Sequence, residues 1–155
     1  MNINIEKAVQ TLIRLGISET EARIQIDTGQ IILPSNTTDN DITNIVYNFP
    51  GLVSISMGIL GNKNITDLSI TELAKHSVGL RYVYFQYCDN LTDITIKALA
   101  DYCNHLKNVT IYGKNISNIG YGLARHIETR PRHPPLEDKW WMDDGTGPHC
   151  KGLMN

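Results

Sequence analysis

The sequence predicts an α/β fold: a short right-handed solenoid with parallel strands on its concave face, helices outside, and a helical cap at the N-terminus. Three observations predict it. Three segments superpose: "GLVSISMGILGNKNITD" from Gly51, "GLRYVYFQYCDNLTD" from Gly79 and "HLKNVTIYGKNISN" from His105. Each carries L-x-x-[IV]-x-apolar, and the leading leucines Leu52, Leu80 and Leu106 stand 28 and 26 residues apart. After each strand-like stretch the apolar period lengthens from two residues to that of a helix.

The elements follow in order. Leu52, Ile55 and Met57, then Leu80, Val83 and Phe85, then Leu106, Val109 and Ile111 are the inward positions of three strands. Ile70, Leu73 and Ala74 after the first, and Ile96, Leu99 and Ala100 after the second, have helical spacing. Thr66 or Asp67, and Thr92 or Asp93, are placed to accept from the orphan N–H groups that begin each helix. A weaker copy, Asn115 to Asn118 followed by Ile119, Leu123 and Ala124, closes the array. An earlier helix runs through Ile42, Ile45, Val46 and Phe49. Strand-plus-helix units at this spacing lie within the range of leucine-rich repeats, in which each unit buries its apolar face only against its neighbours.

The stretch "YCDNLTDITIKALADYCNHLKNV" resembles the cysteine-containing leucine-rich repeats of F-box receptor proteins: a cysteine, an asparagine, "LTD", a helix with "LA", and a second cysteine before the next strand. The resemblance covers residues 40 to 127 and is strongest from Asn64 to Ile111. It implies that Cys88 ends a strand and Cys103 ends the following helix. Leu60 and Lys114 stand at the place of Cys88 in the flanking repeats, and Ser77 at that of Cys103; no F-box is recognisable. The resemblance also implies a substrate-receptor or adaptor role in ubiquitin-ligase-type complexes. Another expectation is an accessory subunit of a larger assembly.

Both ends differ from the repeats. Ile5, Ala8, Val9, Leu12, Ile13 and Leu15 form an amphipathic stripe ended by Gly16, a helix that caps the array. "LGISETEAR" resembles helix-turn-helix segments, but the strands implied by "RIQI" and "QIIL" around Asp27, Thr28 and Gly29 argue instead for a hairpin or a degenerate first repeat. Pro34, Ser35 and Asn36 form its exit loop. Residues 1–35 are thus cap or first repeat, 36–127 the repeats, and 128–155 a Pro-, Gly- and Trp-containing cap or tail. In that tail Trp140 and Trp141 either shield the last repeat or anchor a docking segment, "LEDKWWMDD".

Composition narrows function. Net charge is -2 among 155 residues and 41% are hydrophobic; the pI is 6.2 and the mean hydropathy -0.21. Dispersed basic residues do not make a nucleic-acid footprint, and no apolar run reaches the roughly 20 residues of a membrane span. Cys88, Cys103 and Cys150, odd in number and widely spaced, read as reduced thiols of a cytoplasmic protein. Their expected role is to fill tight turns. His126, His133, His149 and Cys150 lack zinc-ligand spacing, and "DDGTG" lacks the rest of a calcium or phosphate loop. No nucleophile, cofactor-loop or metal motif occurs, so no catalytic residue, cofactor or metal is expected.

Function is expected on the other face of the strands. If Val83 and Phe85 point inward, alternation turns Tyr82, Tyr84 and Gln86 outward, with Ser54 and Ser56 on one side and Asn108, Thr110 and Tyr112 on the other. Tyr and Thr also favour strands for packing alone. As a surface, however, the patch is uncharged and tyrosine-centred, which suits protein recognition. The expected function is a non-enzymatic scaffold that binds a protein through this face, the tail, or both.

Overall fold

The computed structural model describes residues 4–58 and 60–129. The tail from residue 130 onward, with Trp140, Trp141 and the expectations attached to them, lies outside the described residues. Helices and strands follow one another as α1 (Ile5–Arg14), α2 (Glu19–Thr28), β1 (Gln30–Leu33), α3 (Asp39–Asn48), β2 (Ser54–Met57), α4 (Asp67–His76), β3 (Tyr82–Gln86), α5 (Asp93–Tyr102), β4 (Asn108–Tyr112) and α6 (Asn118–Thr129). The four strands form one all-parallel sheet in the order β1-β2-β3-β4. The α/β class read from the sequence is therefore seen. Parallel neighbours need a long crossover, and each is supplied by one helix.

Period-two alternation sets the burial. Ile31 and Leu33, Ile55 and Met57, Val83 and Phe85, and Val109 and Ile111 are all buried. They join one core with Ile42, Ile45 and Val46 of α3, Ile70 and Leu73 of α4, Ile96 and Leu99 of α5, and Ala124 and Ile127 of α6. The helices thus cover one face and leave the other open. Successive helices from α3 to α6 also pack in sequence.

The N-terminal region corrects one expectation. "RIQI" is not a strand, because Arg23 to Ile26 lie inside α2. Ser18 caps that helix by accepting from the Glu21 N–H at 3.2 Å, and Gly29 ends it in the left-handed region at φ 71°. Glycine is required there twice over, since a Cβ would also stand 2.7 Å from the Gly51 carbonyl. Of the two alternatives expected here, the hairpin is absent: β1 pairs with β2 in parallel, as the strand of a first strand–helix unit.

Each helix from α3 onward begins with the same short device. The caps are the hydroxyls, not the carboxylates: Thr38, Thr66 and Thr92 each accept from a backbone N–H of the first turn. The aspartate that follows reaches the next unit instead. Asp39 accepts from Thr66 N–H at 2.7 Å, Thr66 Oγ1 at 2.6 Å and Ser69 Oγ at 2.6 Å. Asp67 repeats the pattern with Thr92 N–H at 2.9 Å, Thr92 Oγ1 at 2.6 Å and Thr95 Oγ1 at 2.5 Å. Asp93 accepts from Ser117 N–H at 2.9 Å and from Ser117 Oγ. Each carboxylate sits at two helix N-termini, where partial positive charge favours it.

A second row of amides runs beside the first. Asn90 donates to the Lys63 carbonyl at 2.6 Å and Asn115 to the Asp89 carbonyl at 2.5 Å, so adjacent loops are tied as well as adjacent helices.

Asp67→Ala should lower unfolding free energy by about 3 kcal/mol in urea titrations, since it removes three charge-assisted hydrogen bonds. Asn118→Ala, at the corresponding position of α6, should stay within about 0.5 kcal/mol. Glycine substitutions in α6 should split in sign. A Cβ at Gly120 would stand 2.2 Å from Asp93 Oδ1, whereas nothing lies within 4 Å of one at Gly122. Gly122→Ala should raise stability by up to about 1 kcal/mol through helix propensity; Gly120→Ala should lower it by about 1 kcal/mol or more.

Candidate protein-binding face

The open face of the sheet is set out in rows by the strand register. One row is Gln30, Ser54, Tyr82 and Asn108; the next is Ile32, Ser56, Tyr84 and Thr110; Gln86 stands beside Tyr112. All the strand residues expected on this face are there, half-buried or exposed. None of them carries a charge. Thr110 Oγ1 donates to Asn108 Oδ1 at 3.1 Å, which uses part of their polarity locally.

Side-chain size shapes this face. Serines on β2 are short, while β1 and β3 carry Ile32 and Tyr84, so a channel runs along β2. Two strand spacings make it about 10 Å across. The C-terminal half of α2 raises one wall: Glu21, Ile24, Gln25 and Thr28 join Gln30, Ile32, Ser54, Ser56 and Tyr84 around a cleft of about 340 Å³. Ile24 and Ile32, 50% and 57% exposed, are large apolar surfaces on one side; Tyr84 is the other.

The α2 residues were not expected at the site, because their stretch had been read as a strand. One clue was present. Buried Gln25 accepts from the Ile32 N–H at 3.1 Å and donates to Glu21 at 3.2 Å. A glutamine one turn before a helix-ending glycine can satisfy the outer edge of the strand that follows.

Tyr112 is placed differently from Tyr82 and Tyr84. Its ring lies 6.3 Å from that of Tyr121 on α6, and both line a second cleft of about 230 Å³ with Val109 to Ile111, Ala124, Arg125 and Glu128. It belongs to the outer flank of β4. Ile119, expected on the buried stripe of α6, points outward at 82% exposure. With Leu68 and Ile94, the second residues of α4 and α5, it forms a row of exposed aliphatic side chains across three helix starts.

The two described cysteines are buried, as expected of turn-filling thiols. Cys103 ends α5 and its Sγ lies 3.5 Å from the Ala74 carbonyl. Cys88 follows β3, and burial pushes its thiol up to about 11, with the nearby Asp89 charge adding in the same direction. Ser77 matches Cys103 in the preceding unit; it is buried, and its Oγ has no hydrogen-bond partner among the described residues. Leu60 does not take the place of Cys88. The loop from Met57 to Thr66 is two residues longer than that from Phe85 to Thr92, so buried Asn62, four residues before its cap, stands there. Asn62 Oδ1 accepts from Asn64 and Ile65 N–H groups, replacing the turn that Cys88 makes with its own carbonyl to Leu91.

Among the described residues no group of three His, Cys, Asp or Glu side chains is placed to hold a metal ion. No described helix is long and apolar enough to cross a membrane. Neither a protein-family model nor a curated protein matches the chain.

At about pH 8 a thiol that titrates near 11 holds roughly two orders of magnitude less thiolate than a free one. Iodoacetamide should therefore label Cys88 slowly in the native protein, and Cys103 slowly because it is buried, and both readily in guanidinium chloride, read peptide by peptide in a mass spectrometer. Fast native labelling of either would contradict the turn-filling role.

Proposed function

We propose that the chain is a leucine-rich-repeat-type solenoid acting as a non-enzymatic protein-binding scaffold of the cytoplasm. It seats an extended segment of a partner protein on the open sheet face and alters that partner's activity or assembly by occupancy.

The carrying observation is the channel over Ser54 and Ser56, walled by Ile24 and Ile32 on one side and Tyr84 on the other. Its width matches one extended chain, and only Glu21 among its lining residues is a charged residue at neutral pH. An apolar side chain entering it would displace water from one aliphatic and one aromatic wall, while the serines and the tyrosine hydroxyl remain to pair with partner backbone. Tyr82, Gln86, Asn108 and Thr110 extend the same uncharged surface toward β4. Tyrosines contribute contact area there at low entropic cost. The solenoid reading is supported by four strand–helix units in sequential order, with repeated hydroxyl-aspartate links between them.

Two changes should abolish recovery of the same partner in affinity purification: Tyr82→Ala/Tyr84→Ala, which removes one wall, and Ser56→Arg, which fills the floor. Leu68→Ser, away from the face, should leave it intact, and thermal melts of all three variants establish that they fold. A tenfold or greater loss of affinity, about 1.4 kcal/mol, is expected for the double variant. Recovery of ligase subunits by the intact chain would assign the adaptor role; unchanged recovery by both face variants would overturn the site.

A further inference from the structure

Every flank in the described array is covered by the next unit except that of β4. Interior strands pair on both sides, and α3, α4 and α5 each pack against a following helix. β4 is the last strand in the order, and its outer flank with α6 forms the cleft of about 230 Å³ lined by Tyr112, Tyr121, Ala124 and Arg125. Part of the edge is closed from within, since Glu128 accepts from the Val109 N–H at 3.1 Å. The rest stays accessible: Tyr112 is 52% exposed, and its ring stands beside that of Tyr121 across the cleft.

We propose that this flank is the docking site of the chain's own segment Leu136 to Asp144, with Trp140 and Trp141 packed into the β4–α6 cleft. The reading is independent of the partner on the open face.

Reach favours it. α6 ends at Thr129, and the 11 residues from there to Trp140 span up to about 35 Å extended. The 12-residue helix is only about 18 Å long. Pro131, Pro134 and Pro135 disfavour a continued helix and favour an extended path that can turn back along α6.

Charge agrees. The segment carries Glu137, Asp138, Asp143 and Asp144 against Lys139. At the flank, Arg125 and Glu128 both line the cleft, the carboxylate being turned to the Val109 N–H, and Lys107 and Lys114 stand beyond the two ends of β4 in the sequence. Two indoles would remove about 150–250 Å² each from water and cover surface that interior units bury against a neighbour.

Trp140 and Trp141 are the only tryptophans in the sequence, so intrinsic fluorescence of the full chain reads the proposal directly. Emission should be blue-shifted and several-fold less quenched by acrylamide than in a free peptide of residues 130–155, independent of protein concentration. Tyr112→Ala/Tyr121→Ala, which removes both rings of the cleft, should return both readings toward those of the peptide, whereas Ile119→Ser and Leu68→Ser, outside the cleft, should not; circular dichroism melts show that each variant folds.

Three results would overturn the proposal. Solvent-like emission in the wild type would mean that the segment is undocked. A blue shift that grows with concentration would assign the flank or the indoles to a second copy. A blue shift unaffected by the flank changes would place the indoles elsewhere.

Discussion

The architecture depends on a carboxylate shared between two helix starts. Four first-turn N–H groups of any helix need partners from outside it, and a hydroxyl cap supplies only one. In this chain a second, the N–H of the cap residue itself, is met by an aspartate acting across the unit boundary: Asp39 toward Thr66, Asp67 toward Thr92, Asp93 toward Ser117. Because the partner always lies in the adjacent unit, a helix cannot be well capped unless its neighbour is in register. Local capping and long-range order become one interaction, and the sheet, whose strands are only four or five residues long, inherits its alignment from it.

The ends of the row show the same constraint. No aspartate precedes α3, so Asp41 within that helix accepts from Thr38 N–H and Thr38 Oγ1, the donors that the preceding carboxylate serves elsewhere. Its other oxygen is held by Arg14 of α1 at 2.5 Å, which ties the N-terminal helices to the row. At the far end the aspartate becomes Asn118 and the hydroxyl residue becomes Gly120, where a Cβ would collide with Asp93. The strand edges are closed by the same logic: Gln25 satisfies Ile32 at one border of the sheet, Glu128 satisfies Val109 at the other. In both cases a side chain from the adjoining helix takes the place of a neighbouring strand.

Much of this was legible because two periods are strong signals. Alternation in β2, β3 and β4 separated Val83 and Phe85 from Tyr82 and Tyr84, and the helix starts were marked by Thr-Asp pairs. α2 was not legible in the same way. Arg23-Ile24-Gln25-Ile26 has strand-like composition, and only its end signals, Ser18 and Gly29, make it a helix. The place of Cys88 was misread for another reason: a fixed offset counts residues from the strand, whereas the packing counts back from the helix cap. A two-residue loop insertion therefore hands the position to Asn62, which keeps the turn by using its side chain as the missing carbonyl. The row of exposed aliphatics was hidden too. Ile119 matches the helical stripe by type, but as the second residue of its helix it faces away from the core.

Misreading α2 mattered most for the site, because the open face alone would be nearly flat. Uncharged strands bearing Tyr, Gln, Asn and Thr offer contact area without a boundary that fixes register. α2 supplies that boundary. It stands beside the first strand because Gln25 must reach the Ile32 N–H, and in doing so it lifts Ile24 and Thr28 above the sheet on the side opposite Tyr84. Closing the sheet edge and walling the channel are thus one act of packing. Replacing Gln25 with an apolar residue would leave the edge amide without its acceptor and free the wall to move. The affinity of the face and the stability of the first unit should therefore fall together, whereas a change at Tyr84 should separate them.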